Sequence, residues 1–297
     1  MPGTPGRDVL VVGDINLDVL VRPVRPIEHG TDVAADIRQR AGGAGANVAW
    51  GLARLGVSTT LAGCVGGSGA DAVIDPLRAA GVALEIRSVV DARTGVIVAI
   101  IGPDGERSMA SDRGANLAVG EADVPEELIG AHRHLHVSGY LLFEPGTREA
   151  ALTAIGRARK LGRTVSVDPS SVAPLRAYGV AAFLADISGV DLLLPNTDEA
   201  LALSATPDVE AAAAVLASAF PVVAVTCGAG GALWAGAGGV LRRPVPAGPV
   251  SLLDTTGAGD AFTAGLLAAW LAGRSPTSCL DAGLHTAAEV IGRWGAQ

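Results

Sequence analysis

A doubly wound α/β fold with a mostly parallel sheet is predicted for this 297-residue chain by three features. Short apolar runs bounded by Gly, Pro or Asp recur along the sequence, as buried parallel strands require. Ala/Leu-rich stretches of helical period separate them, the rhythm of strands joined by crossover helices. Hydrophobic residues make up 49% of the chain, so a large core can be buried.

Taken in order, strands are expected over residues 9–12, 59–64, 134–138, 164–167, 192–194 and 222–226. Between and after them, helices are expected near residues 46–55, 72–80, 148–161, 208–219, 257–272 and 276–293. Two segments break the rhythm, about 18–39 and 94–110, where alternation and turn signals, including the Pro-Asp-Gly at 103–105, replace helical period. These read as a small antiparallel sheet standing off the core, either a lid over a site or an edge extension with no part in closure. The whole of 1–297 is expected to form one domain carrying that lid.

Charge and composition narrow the function. With 22 Lys and Arg against 30 Asp and Glu, and no basic run interleaved with aromatics, nucleic acid is not an expected partner. No apolar stretch is long enough to span a bilayer, and residues 1–7 lack the charged and apolar regions of a secretory signal, so neither a membrane partner nor export is expected. Three cysteines without CxxC spacing suit a reduced, cytoplasmic setting. His132, His134 and His136 alternate on one strand face, but no Cys or acidic residue lies near them in sequence to complete a zinc set.

The most informative string is Asp254-Thr255-Thr256-Gly257-Ala258-Gly259-Asp260-Ala261-Phe262, running into an apolar helix. Gly257, Ala258 and Gly259 strip side chains from the amides that open the helix, where an anion fits. Asp260 in the first turn is open to two readings: a carboxylate that complements the helix dipole, or a general base beside an anion hole. The small residues before it favour the second, which means phosphoryl transfer to a hydroxyl.

That string closely resembles the second signature of the ribokinase-like (pfkB) carbohydrate kinases. Gly42-Gly43-Ala44-Gly45-Ala46-Asn47 is similar to the family's N-terminal signature, and Gly13-Asp14-Ile15-Asn16-Leu17-Asp18 to its sugar-binding strand end. Asn196-Thr197-Asp198-Glu199 is similar to its Asn-x-x-Glu element, although the same spacing is a plain helix cap. The segment from Thr226 through Gly228 to Gly231 resembles its phosphate-receiving turn, or serves as an ordinary β-turn.

The resemblance covers essentially the whole chain. It implies an ATP-dependent kinase with Asp260 as base, acting on a hydroxyl, a primary CH2OH, of a small sugar. Asn16, Asp18, Gly42, Gly43, Asn47, Asn116 and Glu144 would then bind the acceptor. Asn196, Glu199, Thr226, Gly228 and Gly231 would bind ATP, with Mg2+ held through water by Glu199 and K+ near Asp254. A nucleoside acceptor and a non-catalytic sugar- or nucleotide-binding regulator are the alternatives. Ala44 stands where ribokinases usually carry Lys, which takes a cation away from the acceptor. An exposed face of the small sheet offers a surface for a homodimer.

Overall fold

The computed structural model describes residues 7–67, 69–102, 107–246 and 256–292. Among these residues nine strands form the main sheet: β1 (Arg7–Val12), β4 (Thr59–Gly66), β5 (Ala83–Val89), β8 (His132–Ser138), β9 (Thr164–Asp168), β10 (Leu192–Leu193), β11 (Val222–Thr226), β12 (Ala232–Gly236) and β13 (Gly239–Arg243). Their order is β13-β12-β11-β10-β9-β8-β1-β4-β5, parallel from β5 to β11 and antiparallel at the edge hairpin β12–β13. All six expected core strands are present. The expectation missed β5, whose charged residues mark a half-exposed edge, and the hairpin, whose Ala- and Gly-rich strands carry little β-branched signal.

Alternation along β1 explains the layers. Val9 and Val11 join one core with helices α1 (Ala44–Arg54), α2 (Asp71–Ala79), α9 (Ala258–Leu271) and α10 (Pro276–Val290), while Leu10 and Val12 join the other. That second core is covered by α3 (Glu126–Gly130), α4 (Pro145–Lys160), α5 (Val172–Tyr178), α6 (Val180–Asp186), α7 (Thr197–Ser204) and α8 (Val209–Leu216). A strand with both faces covered must be apolar throughout, which is why these runs were readable. Helices α3, α5, α6 and α7 are absent from the expected set because they are a turn or two long and lack sustained period.

The second sheet has the order β3-β2-β6-β7, with β2 (Asn16–Pro23), β3 (Ala35–Gly42), β6 (Gly95–Ile101) and β7 (Arg107–Asp112). It corrects one expectation: β2 and β6 pair in parallel, so the sheet is mixed rather than antiparallel. The reason is topological, since β6 returns only after α1, β4, α2 and β5. The expected turn at 103–105 lies outside the described residues.

His132, His134 and His136 do share a buried face of β8. Their rings meet hydroxyls and a carbonyl: His132 contacts Leu128 O and Thr60 Oγ1, His134 contacts Thr164 Oγ1 and Ser166 Oγ, and His136 contacts Ser166 Oγ. Burial holds His134 and His136 down at about 3, hence neutral. No helix among the described residues is long and apolar enough to cross a membrane.

Candidate active site

The chain runs outward from β1 through β4 to β5, then returns to the other side of β1 as β8. Ligands of open α/β sheets bind at such a reversal, beyond the carboxyl ends of the strands. There the end of β1 delivers Asp14, β8 leads into Tyr140, β9 ends on Asp168, β10 leads to Asn196, and β11 ends on Thr226. The small sheet stands over the same end.

A cavity of about 250 Å³ lies between the sheets, lined among others by Asp18, Gly43, Asn47, Tyr140, Asp168 and Asp260. Gly43 turns the chain into α1 with φ 98, and a side chain there would collide with the backbone of Asp14 and Asn16. Beside it, the Asp18 carboxylate occupies the space a side chain on Gly42 would need. Asn47, on the first turns of α1, donates from Nδ2 to Asp260 Oδ2 at 2.8 Å. Thus one oxygen of the expected base is oriented by a residue expected to bind the acceptor.

Helix α9 begins at Gly257, which adopts φ 75, and no side chain among the described residues caps it. The amides of Ala258, Gly259 and Asp260 open the helix ahead of the bond that Ala261 N donates to Gly257 O at 2.8 Å, and a Cβ added to Gly259 would meet open space. On the far side of this turn is a second cavity of about 850 Å³, with apolar walls from Phe262, Leu284, Ala287, Ala288 and Ile291 and a rim at Gly228 and Gly231. The two cavities share Asn196, Thr226 and Gly259 as a common wall.

Asn196 and Glu199 form a reciprocal cap on α7: Asn196 Oδ1 accepts from Glu199 N at 3.0 Å and Glu199 Oε2 accepts from Asn196 N at 2.8 Å. The capping reading is therefore correct, yet it does not exhaust Glu199. Its Oε1 is buried with no hydrogen-bond partner among the described residues, while the side chain lines the first cavity. Burial pushes its carboxyl up to about 7. Asp168 is raised too, first by burial and then by the charges of Glu199 and Asp260. Carboxylates that oppose one another's ionisation around an orphaned oxygen fit a divalent cation. Among the described residues no group of three or more acidic, His or Cys side chains encloses a metal by itself, as suits Mg2+, which keeps waters and leans on phosphate.

Three expected residues sit elsewhere. Asn116 is wholly buried; it accepts from Ile15 N and donates to Ile15 O, Arg113 O and Asn16 Oδ1, so it fixes the strand end rather than facing the cavity. Asn16 accepts that bond on its Oδ1, is buried, and is not among the described residues that line the cavity. Glu144 is an exposed residue at the start of α4, away from the cavity lining. Asp254 lies outside the described residues.

Sequence reading missed Asp168, Tyr140 and Arg113. Asp168 accepts from Ser170 N at 2.7 Å, and Ser170 takes φ 69 to make that turn. Arg113 donates to Asp14 Oδ1 and Tyr140 O, at 2.7 and 2.8 Å, and lies over the Tyr140 ring at 5.4 Å. Only Asp168 carried a signal, a lone acid ending a core strand.

Fold and site together define an α/β protein with a carboxylate at a helix start, between a polar pocket and an apolar one. The chain belongs to the pfkB family of carbohydrate kinases, whose model matches residues 7–297. It is 35% identical to an ATP-dependent ribose-1-phosphate kinase of Halopiger xanaduensis, over 97% of this chain and 93% of that one. Identity to a cytidine kinase of Thermococcus kodakarensis is 30%, over 97% of each. The structure of adenosine kinase from Sinorhizobium meliloti superposes with a TM-score of 0.90 at 26% identity, covering 98% of this chain and 96% of that one.

Proposed function

We propose that this kinase transfers the γ-phosphoryl group of ATP to the primary hydroxyl of a small sugar-like acceptor, with Asp260 as general base. The observation that carries this reading is the common wall: Asp260 stands in the polar cavity, one residue from Gly259, which both cavities share. The acceptor lies in the smaller cavity against Asp18, Gly43 and Asn47, under the small sheet. The nucleotide base lies in the apolar cavity, and its phosphates cross Asn196, Thr226 and the amides of 257–260.

Asp260 takes the hydroxyl proton as the acceptor oxygen bonds to the γ-phosphorus. The bond from that phosphorus to the bridging oxygen breaks, leaving ADP and a phosphate ester. Asn47 positions the base, and the helix amides stabilise charge on the group in transit. Glu199 and Asp168 would hold Mg2+, which when bound offsets phosphate charge. K+ near Asp254 remains part of the proposal. Closure of the small sheet excludes water and suppresses hydrolysis.

The three relatives support a ribosyl acceptor, because ribose 1-phosphate, cytidine and adenosine are all riboses substituted on the anomeric carbon. Three free thiols suit a cytoplasmic enzyme. The outer face of the small sheet, where Ile37 is 60% and Ile100 37% exposed, would pair two subunits, and sedimentation velocity tests it.

A coupled ADP-release screen over ribosides, pentoses, hexoses and nucleosides, with Mg2+ and with or without K+, decides the matter. Acceptor-dependent ADP release is expected. Ligand-induced thermal shifts with no ADP release on any acceptor would instead favour a binding protein.

A further inference from the structure

The hydrogen bond from Asn47 to Asp260 joins two helices, α1 and α9, and its length is set one turn below it. Residues four apart on a helix share a face. Gly51 therefore stands about 6 Å beneath Asn47 on α1, and Ala264 the same step beneath Asp260 on α9. There the two helices touch: a Cβ added to Gly51 would come within 2.7 Å of the Ala264 Cβ. Among the described residues outside α1, no other heavy atom would lie within 4 Å of it. Both residues are buried. A glycine inside a helix is destabilising relative to alanine, so its presence there calls for a reason, and this contact supplies one.

Neither helix has room to recede from such a methyl group. The first turn of α1 is seated on the turn after β1, where a Cβ on Gly45 would lie 2.6 Å from the Gly13 backbone. Helix α9 is backed by α10: a Cβ on Gly265 would lie 2.6 Å from the Ala282 carbonyl oxygen, and one on Gly283 would lie 2.7 Å from the Phe262 ring. Carbon atoms in ordinary contact sit roughly 3.5–4.0 Å apart, so a methyl on residue 51 must part the helices by about 1 Å. With both outer faces held, the parting is taken up between α1 and α9, where Asn47 Nδ2 meets Asp260 Oδ2 at 2.8 Å. A bond stretched by that much no longer holds the carboxylate. Misplacement of a reacting group by about 1 Å can cost on the order of 10² in rate.

Resting on the kinase reading above, we propose that Gly51 is a positioning residue: its contact with Ala264 sets the separation at which Asn47 holds Asp260. Gly51→Ala should lower kcat roughly 10 to 100-fold, measured below its melting transition. Combining it with Ala264→Gly moves the methyl from one helix to the other at constant volume, and should bring kcat back to within about threefold of wild type. Added to Asn47→Ala, Gly51→Ala should lower kcat no further than about threefold, because the bond it disturbs is already gone. A near-normal kcat for Gly51→Ala, a swap no better than the single variant, or losses that multiply with Asn47→Ala would each overturn the proposal. Should Gly51→Ala fail to fold, Ala264→Ser pushes one atom from α9 into the same gap and takes its place in the cycle. If the wild-type protein releases no ADP with any acceptor, the kinase reading fails, and crystal structures of wild type and variant still decide the spacing. An Asn47 Nδ2 to Asp260 Oδ2 separation beyond about 3.5 Å in the variant supports it; one kept at 2.8 Å overturns it.

Discussion

The two cavities that meet at Gly259 are built on opposite principles. The proposed acceptor cavity is small, about 250 Å³, and crowded with carboxylates, whereas the other, about 850 Å³, is walled by Phe262, Leu284 and alanines. A flat base in an apolar slot gains from burial in many orientations, so such a site tolerates small changes of fit. A hydroxyl that must lie in line with a phosphorus gains only from polar groups held in place. The contrast teaches that precision is concentrated on one side of the shared wall. It also tells where substitutions should be severe.

The sharpest way to break that contrast is Asp260→Asn. Turnover should fall roughly 10² to 10⁴-fold, the range for loss of a general base, while nucleotide affinity measured by titration stays within a few-fold. Near-normal turnover would remove Asp260 from the chemistry. Next in size, Asp18→Ala should raise acceptor KM by roughly 10 to 100-fold, as expected for losing a hydrogen bond to a charged group, with nucleotide KM steady. The reverse pattern would mean that acceptor and donor cavities have been exchanged.

The smallest effect concerns protons. Burial raises the Glu199 carboxyl from 4.5 to about 7, so below pH 7 it is mostly protonated in the free protein. Binding Mg2+ and nucleotide calls for the carboxylate, and a proton must leave. Calorimetry near pH 6.5 in buffers of differing ionisation enthalpy should show up to one proton released per nucleotide, fading by pH 8.5, with affinity rising up to about pH 7 and then levelling. Heat independent of buffer would exclude Glu199 from the metal. The linked stability runs the other way: this group's share is fully present below pH 4.5 and is lost as pH climbs through about 7.

What could be read from sequence divides along the same line as local against distant contact. Gly43, Asn47, Gly257 and Asp260 sit in contiguous strings whose small residues have a backbone reason, and all four line the acceptor cavity. Asn196 and Glu199 were legible as a cap; the orphaned oxygen that supports the proposed second role of Glu199 is visible only once the cavity is built. Tyr140, Asp168 and Arg113 arrive from three separate strand ends or loops, and nothing in their neighbours announces them. Glu144 shows the converse, a residue chosen by position in the chain that the fold leaves in solvent. The parallel pairing of β2 with β6 was equally out of reach, because some seventy residues of intervening chain decide it.

The shared wall has a consequence for how such an enzyme diversifies. Asp18, Ile97, Ala99 and Met109 come from the small sheet, while Phe262, Leu284 and Ala288 come from α9 and α10, and among the described residues three belong to both cavities. On the proposed reading, a point mutation in the small sheet can therefore alter which molecule is phosphorylated without disturbing what supplies the phosphate. On that reading the two specificities can change almost independently, with Asn196, Thr226 and Gly259 as the inheritance they hold in common.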